Sequence, residues 1–435
     1  MKNRLLFLLC LLGSLFLPAQ ELYYPPTTNL SWETMTLEEA GFCTDREQEL
    51  YDYLESTNTD AFLLLKDGKI VIERYFGDFS VFTPHLWNSA GKSLTAFLVG
   101  MAADLDSLNI NDPTSQYLGT GWTNCPATEA DIKIVHQLTM TTSLDDGVEN
   151  SACYDPECLV CKAAPGTRWS YHNGPYTLLT DVIESATNQG INTFIAERLT
   201  PRTGITGQYR DFGFNEVFIS TARSMARFGI LVQGNGRWAG TPILRDTAYL
   251  RDMITPSQSL NPSYGYLWWL NGQPSYRIPT LQISFPGPLL PNAPQDLVAA
   301  IGKDAQLLNI VPSQGLIMVR MGSTPEDGSL VSTGYNDAIW EKINGLYCTT
   351  ATASAADLPA GVSVFPNPAG DFITLRSAAP LRRVSVFDQA GRVLRSERLS
   401  GQQARLALES LPRGVLLLRI ADAQGGVSWR KVVHR

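Results

Sequence analysis

Apolar and polar positions near the start of the chain predict a β-hairpin followed by a helix. Apolar residues dominate 62–66 and 69–76, and the Asp67-Gly68 pair between them favours a two-residue hairpin turn. Over 89–105 the apolar residues recur at helical spacing, as at Leu94, Phe97, Leu98 and Met101. We therefore expect a helix that opens at Ser89, shortly after the hairpin.

Further along the chain, helical patterns give way to strand patterns. Helical spacing occurs over 135–140, 175–186, 191–199 and 220–233, whereas strand-like runs occur at 264–270, 297–302, 307–311 and 315–321, before a helix-like run at 336–346. Because strands lie at both ends with helices between them, we predict a mixed α/β fold. One sheet is built from both ends, flanked by helices, and accompanied by a helical subdomain.

After this main body, residues 21–348, the composition changes. Residues 349–361 are rich in Ala and Thr, which is typical of a linker. Short alternating strands follow at 372–376, 383–388 and 416–421, separated by turn signals such as Gln389-Ala390-Gly391. This pattern predicts a small C-terminal β-sandwich over residues 362–435.

The first twenty residues have the order of a secretory signal. Lys2 and Arg4 precede an apolar run at 5–17, which is followed by Pro18-Ala19-Gln20. The run is too short for a membrane-spanning helix, so we expect residues 1–20 to be a signal peptide and the mature protein to have no membrane span. Cys10 is a poor lipoprotein acceptor because the residues before it are not small.

Charge is divided unevenly between the two parts of the chain. The whole sequence has a net charge of −8. From residue 350 onward, 12 Lys and Arg stand against 6 Asp and Glu, which leaves 22 basic and 36 acidic residues in 1–349. An acidic main body argues against nucleic acid as a partner, because binding phosphates requires clustered basic residues.

Six cysteines follow the signal segment, and their even number in an exported chain predicts up to three disulfide bonds. They are Cys43, Cys125, Cys153, Cys158, Cys161 and Cys348. The alternative is a zinc site at Cys158-x-x-Cys161 with Cys153, which is typical of reducing compartments and is disfavoured by the export signal. The four cysteines between 125 and 161 allow three disulfide connectivities.

Ser89 and Lys92 are the candidate nucleophile and proton acceptor. Three-residue spacing on a helix places both side chains on one face, and a serine at a helix start meets backbone N–H groups that favour an oxyanion. Lysine accepts a proton only when it is neutral, so desolvation or a cationic neighbour must lower its pKa from about 10.4. Alternatively, a charged Lys92 keeps Tyr171 deprotonated as the base, with Asn173 hydrogen-bonded to the lysine and to a substrate carbonyl.

The order of these motifs resembles that of the β-lactamase-like serine hydrolases, which include class C β-lactamases, penicillin-binding proteins, related esterases and 6-aminohexanoate-oligomer hydrolases. A hairpin, the Ser89-x-x-Lys92 helix, the 136–144 segment and Tyr171-His172-Asn173 follow one another, over about residues 35–348. The resemblance implies that Ser89 is acylated, that Lys92 and Tyr171 share proton transfer, and that Asn173 assists them. We expect no cofactor and no metal.

The third motif of that family departs from the usual pattern. The family has Lys-Thr-Gly or His-x-Gly on an edge strand, whereas this chain has Ala300-Ile301-Gly302. The resemblance still implies an oxyanion hole formed by the backbone N–H groups of Ser89 and Lys303, since these need no side chain. Loss of the cation and the hydroxyl weakens recognition of a substrate carboxylate, and so favours an esterase or amidase.

Several further expectations concern the surroundings of these motifs. We expect Trp87 and Gly302 to bound the substrate, with Trp169 as a further candidate for the wall of the site. The family's chain ends pack together, which implies a Cys43–Cys348 bridge.

The Asp145-Asp146 pair is interpreted as closing a loop, with contact to a cationic substrate group as the alternative. We expect structural roles for three histidines, His85, His136 and His172.

The C-terminal sandwich resembles the sorting domain of type IX secretion. The resemblance rests on Phe365-Pro366-Asn367-Pro368-Ala369, on 386–392 and on 411–415, although Val415 replaces the usual aromatic residue. It implies that the secretion machinery is a partner and that the protein is secreted or held at the cell surface. An accessory carbohydrate-binding sandwich is the alternative.

Together these features predict a secreted serine hydrolase that cleaves a small-molecule ester or amide through an acyl-enzyme at Ser89. Two alternatives stay open. The first is a β-lactamase or D-alanyl-D-alanine carboxypeptidase that acts on cell-wall-like substrates. The second is a non-catalytic surface-binding protein with the same fold.

Overall fold

The computed structural model describes residues 22–325, 331–348, 362–377, 379–388, 392–424 and 426–435. Its contacts divide the chain into two units, with the boundary between Tyr347 and Cys348. The predicted signal segment with Cys10, the predicted linker and the Gln389-Ala390-Gly391 turn lie outside the described residues. Within the described part of the chain, no helix has the length and apolar character needed to cross a membrane.

A six-stranded antiparallel sheet forms the centre of the first unit, in the order β2-β1-β13-β12-β11-β8. These strands are β1 (Thr59–Lys66), β2 (Lys69–Tyr75), β8 (Trp269–Leu270), β11 (Val298–Gly302), β12 (Gln306–Val311) and β13 (Leu316–Gly322). The predicted sheet built from both ends of the main body is therefore confirmed. The predicted hairpin is also present, and its turn residues Asp67 and Gly68 both have left-handed backbone, with φ of 51° and 84°.

Helices cover both faces of this sheet and extend into a helical region beside it. They are α1 (Glu47–Ser56), α2 (Gly91–Ala103), α3 (Ser115–Leu118), α4 (Ile134–Leu138), α5 (Asn173–Thr177), α6 (Leu179–Thr187), α7 (Ile191–Arg198), α8 (Thr200–Thr203), α9 (Ala222–Gln233), α10 (Thr247–Met253) and α11 (Thr333–Leu346). Gly229 of helix α9 lies against Leu308 and Ile317 of the sheet. Asn336 of helix α11 is hydrogen-bonded to Asn309, the residue after Leu308. Since side chains of neighbouring strand residues point to opposite faces, these two helices lie on opposite sides of the sheet.

Smaller sheets complete the first unit. One has the order β3-β5-β4, and two are two-stranded. Their strands are β3 (His85–Leu86), β4 (Gln208–Phe212), β5 (Asn215–Ser220), β6 (Arg237–Trp238), β7 (Thr241–Pro242), β9 (Ser275–Tyr276) and β10 (Phe285–Pro286). The strand predicted at 264–270 is wrong in extent, since only Trp269–Leu270 is a strand. Leu267 has left-handed backbone, with φ of 59°, and Tyr264 forms a bridge with Trp269, so the chain turns back on itself there.

The second unit consists of two antiparallel sheets, in the orders β14-β15-β18 and β17-β16-β19-β20. Their strands are β14 (Val362–Phe365), β15 (Phe372–Ser377), β16 (Leu381–Phe387), β17 (Val393–Arg398), β18 (Gln403–Ala407), β19 (Gly414–Asp422) and β20 (Val427–His434). Buried residues of both sheets, such as Ile373, Leu375, Val386 and Leu418, share one hydrophobic cluster. This arrangement is the predicted β-sandwich.

Disulfide bonds join Cys125 to Cys161 and Cys153 to Cys158. Cys43 and Cys348 are disulfide-bonded as well. The zinc alternative is wrong, because sulfur atoms bonded to each other are not metal-binding thiolates, and the described residues contain no cluster of potential metal ligands. The expected Cys43–Cys348 pairing stays a prediction.

Removal of the Cys125–Cys161 bridge should destabilise the protein more than removal of the Cys153–Cys158 bridge. The sequence separations are 36 and 5 residues, and a longer loop closed in the unfolded chain costs more entropy. Paired Cys→Ser variants are expected to lose about 4 and about 2 kcal/mol in the free energy of unfolding, as measured in urea. Non-reducing mass mapping should recover these two pairs and a Cys43–Cys348 pair, and any other connectivity contradicts the assignment.

Candidate active site

Ser89 lies in a short 3₁₀ turn, Asn88–Ala90, between strand β3 and helix α2. The predicted helix therefore begins as a 3₁₀ turn, and the α-helix itself starts at Gly91. The Trp87 backbone N–H donates to the Phe218 carbonyl at 2.9 Å, and the Ala90 N–H donates to the Trp87 carbonyl at 3.0 Å. Strand β5 and the turn thus fix the serine at the head of α2.

Lys92 lies beneath Ser89 and is almost completely buried, with 4% of its surface exposed. Its Nζ donates a hydrogen bond to Ser89 Oγ at 3.2 Å. The Nζ atom lies 3.9 Å from the ring centroid of Tyr176 and 5.2 Å from that of Tyr171. Burial lowers the pKa of Lys92 to about 7, so a large fraction of this amine is neutral near pH 7 and is able to accept a proton.

Tyr171 forms a side-chain hydrogen bond with Ser89. Burial raises the pKa of its hydroxyl, and the hydrogen bond with Ser89 opposes this rise to a smaller extent. The ring stacks on Trp269, with the centroids 5.9 Å apart. Because its pKa is raised, the Tyr171 hydroxyl stays protonated near neutral pH.

The disulfide-bonded loop supports the segment that carries Tyr171. The Gly174 N–H donates to the Ser151 carbonyl at 3.0 Å, and a Cβ atom at Gly174 would collide with the Cys153 carbonyl oxygen. The disulfide-bonded loop and the segment that carries Tyr171 therefore pack closely through their backbones. Asn173 begins helix α5 and lines the same pocket as Ser89.

Gly302 and Lys303 lie at the end of β11, against the Ser89 turn. A Cβ atom at Gly302 would overlap the Trp87 carbonyl oxygen and approach Ala90 N to 2.9 Å. Asn88 Nδ2 also donates to the Lys303 carbonyl at 2.9 Å. The absence of a side chain at 302 thus lets β11 approach the serine turn, which places the Lys303 backbone beside Ser89.

Arg320 fixes the 303–305 turn that follows β11, and the sequence reasoning did not single it out. Its guanidinium is fully buried and donates to the carbonyls of Asp304 and Ala305 at 2.6 and 3.1 Å, and to those of Thr57 and Asn58 at 2.9 Å. An arginine within the apolar strand run 315–321 was the available sequence signal. Since a buried charge needs hydrogen-bonding partners, an arginine in an apolar strand indicates a set of buried hydrogen bonds and not a solvent-exposed side chain.

The pocket above Ser89 has a volume of about 510 Å³. It is lined by Ser89, Lys92, Tyr171, Asn173, Ile301, Gly302 and Lys303, together with Tyr176, Glu216 and Trp269, which the sequence reasoning did not select. The expectation for Trp87 is wrong. Its side chain is fully buried against Phe218, with the ring centroids 4.9 Å apart, because its position in the turn directs it into the core.

Other expected residues lie away from the pocket lining. Trp169 is fully buried, and Asp145 and Asp146 form ion pairs with Lys162 and Arg168. These ion pairs agree with loop closure and not with contact to a substrate. Burial lowers the pKa of His172 to about 4, so this ring is neutral at pH 7.

Several solved structures have a fold similar to that of this chain. A protein assigned as a 6-aminohexanoate-dimer hydrolase from Bacillus anthracis is 21% identical, with a TM-score of 0.56 over 75% of this chain and 91% of that chain. A protein assigned as a β-lactamase from Bacteroides dorei is 16% identical, with a TM-score of 0.56 over 70% and 99%. A penicillin-binding protein homologue from Caulobacter crescentus is 12% identical, with a TM-score of 0.53 over 70% and 98%. No match was found among curated proteins.

Family models match both units. Residues 363–435 match the secretion system C-terminal sorting domain, which indicates export by type IX secretion to the cell surface or the medium. Residues 52–338, well over half of the chain, match the β-lactamase family model and include the Ser89, Lys92, Tyr171 and Lys303 site. The chain therefore belongs to the β-lactamase family, whose members are typically serine hydrolases, and carries a type IX sorting domain at its C-terminus.

Proposed function

We propose that the protein hydrolyses a small ester or amide outside the cell, through an acyl-enzyme formed at Ser89. The observation that carries the proposal is Lys92, a buried amine hydrogen-bonded to the serine hydroxyl at 3.2 Å. No carboxylate among the described residues forms an ion pair with Lys92, so desolvation is not offset and its charged form is disfavoured.

In the proposed reaction, Lys92 Nζ accepts the Ser89 hydroxyl proton as Ser89 Oγ bonds to the substrate carbonyl carbon. The carbonyl oxygen becomes an oxyanion that the Ser89 and Lys303 backbone N–H groups stabilise. The proton then passes, by way of Lys92 and Tyr171, to the leaving oxygen or nitrogen as its bond to carbon breaks. A water molecule attacks the acyl-enzyme in the same way, releasing the acid and restoring the Ser89 hydroxyl.

Activity on β-lactams and peptidoglycan stems is the weaker candidate. Such substrates carry a carboxylate, and the pocket presents Ile301 at the position where a hydroxyl-bearing side chain would recognise it. Lys303 is the remaining cation beside Lys92 among the described lining residues, and its side chain is exposed to water. Exposed charges contribute little to binding, so we favour neutral or cationic substrates.

A fluorophosphonate probe should label the wild-type protein at Ser89. Peptide mapping is expected to locate the phosphonate on Ser89, and the Ser89→Ala variant should remain unlabelled. Ser93, which donates a hydrogen bond to the Leu267 carbonyl, provides a matched Ser93→Ala control that should keep its labelling. Equal labelling of wild type and Ser89→Ala would contradict the proposed acyl-enzyme, and faster turnover of nitrocefin than of short esters would favour the β-lactamase alternative.

A further inference from the structure

One wall of the pocket is the hairpin formed by β4 and β5. Phe212, Asn215, Glu216 and Val217 from this hairpin line the pocket, on a different element from the serine turn and from β11. Phe212, near the hairpin tip, exposes 50% of its surface. The wall therefore combines apolar surface with one carboxyl group, and the proposed acylation chemistry gives that carboxyl no role.

Glu216 lies among other acidic groups. Asp211 is its partner across the hairpin, while Asp181 and Glu184 approach from helix α6. The Glu216 side chain is half-buried and hydrogen-bonded to Thr180. Burial, and then these three carboxylates, raise its pKa to about 7. In the described part of the chain no Lys or Arg forms an ion pair with Glu216, so its negative charge is poorly solvated and is not balanced by the protein.

The two cations that line the pocket, Lys92 and Lys303, lie on elements other than the β4–β5 hairpin. Lys92 is hydrogen-bonded to Ser89, and Lys303 follows Gly302 at the end of β11. A substrate held with its scissile carbonyl at Ser89 can therefore place its distal part against the β4–β5 wall. A positive group at that distal end would supply the charge that Glu216 lacks, and a charge-assisted hydrogen bond to a partly buried carboxylate is among the stronger polar contacts.

We propose that the pocket selects esters or amides that carry a protonated amine on an apolar stem, with Glu216 as the partner of the amine and Phe212 and Val217 in contact with the stem. This inference rests on the proposed acyl-enzyme chemistry at Ser89. It assigns Glu216 to substrate selection and not to the chemical step, so its removal changes the preference between substrates.

Two pairs of rigid nitrophenyl esters test this assignment. The cationic members are the p-nitrophenyl esters of 3- and 4-(aminomethyl)benzoic acid, and the neutral members are those of 3- and 4-ethylbenzoic acid. The measured quantity is the ratio of kcat/KM for the cationic ester to kcat/KM for its neutral partner. Intrinsic ester reactivity cancels when this ratio is compared between enzyme variants.

In at least one pair, Glu216→Gln is expected to lower the ratio about tenfold. Glu341→Gln on helix α11, outside the pocket lining, is the matched control and should keep the wild-type ratio. An unchanged ratio in Glu216→Gln, with continued hydrolysis of both esters, overturns the inference and leaves the proposed function standing. If wild type hydrolyses neither ester faster than Ser89→Ala does, the proposed function fails, and the inference falls with it.

The same ratio should depend on pH with a defined sign. Above about pH 7 the Glu216 carboxyl is ionised and attracts the amine, so the wild-type ratio should rise between about pH 6 and 8.5 and stay flat in Glu216→Gln. Titration of Lys92 changes kcat/KM for both esters by the same factor, so it cancels in the ratio. The titratable groups around Glu216 are Asp181 and Glu184 on α6, Asp211 and Tyr209 on β4, Tyr176 on α5, and Tyr154. A flat wild-type ratio would contradict the assignment.

Discussion

Replacing Lys92 by methionine is expected to lower kcat/KM for a neutral ester about a thousandfold. The substitution removes the group that accepts the Ser89 proton, and general-base catalysis typically contributes 10²- to 10⁴-fold to the rate. Methionine suits this buried position because it has a similar length and no charge to desolvate. The variant should therefore fold, and the loss should fall on kcat rather than on KM.

The pH dependence identifies the base. In wild type, kcat/KM for a neutral ester should rise with pH through about 7, as Lys92 loses its proton. Lys92→Arg retains a positive charge but does not deprotonate, so it should be as inactive as Lys92→Met. Substantial activity in Lys92→Arg, or a profile that rises only near the pKa of a phenol, would contradict the assignment of Lys92 as the base.

Stability offers an independent check on the same residue. The pKa of Lys92 is lower in the folded protein than in the unfolded chain, so between about pH 7 and 10 the unfolded state binds more protons. The contribution of Lys92 to the free energy of unfolding therefore becomes more favourable as pH rises through this range. Lys92→Met should be more stable than wild type near pH 7, and the difference should shrink toward pH 10.

Replacing Gly302 by alanine is expected to lower kcat at least about a hundredfold, since loss of one oxyanion donor typically costs 10²- to 10³-fold. The expected loss of activity comes from a steric clash and not from backbone strain. Gly302 has φ of −113° and ψ of 162°, which any residue adopts, but an added methyl group meets the Trp87 carbonyl and Ala90 N. Relief of that contact moves β11 away from the serine turn and displaces Lys303 from Ser89.

A matched glycine substitution separates this effect from general destabilisation. Gly334 lies in helix α11, and nothing is within 4 Å of a Cβ atom added there. Gly334→Ala should keep both kcat and the rate of fluorophosphonate labelling. Circular dichroism and the melting temperature should show that Gly302→Ala is folded. A folded Gly302→Ala protein with wild-type kcat would contradict the proposed oxyanion arrangement.

The sequence was sufficient to predict the hairpin, the sheet built from both ends and the contact between Ser89 and Lys92. These depend on local periodicity and on the three-residue spacing, which a helical turn converts directly into proximity. The proposed choice of Lys92 over Tyr171 as the base could not be made from the sequence, because it depends on burial. Tyr176 packs against Lys92 and Trp269 packs against Tyr171, and both are distant from Lys92 in sequence.

Trp87 shows that a residue close to Ser89 in sequence need not line the pocket. It precedes the nucleophile by two residues, yet the 3₁₀ turn directs its indole into the core, while Trp269 reaches the pocket from another strand. Glu216 was missed for a related reason, since only the placement of the β4–β5 hairpin brings it to the pocket. The disulfide connectivity likewise depends on loop paths that periodicity does not encode.

The sheet order determines how much of the chain the proposed active site requires. Strand β1 pairs with β13, and the Lys303 backbone reaches Ser89 only through β11, on the far side of β12. A nascent chain that ends before Gly322 therefore contains the serine and lysine but not the strands that complete their site. If Ser89 acts as proposed, hydrolytic competence requires synthesis of nearly the whole first unit, and a truncated chain carries the proposed nucleophile without the strands that complete its site.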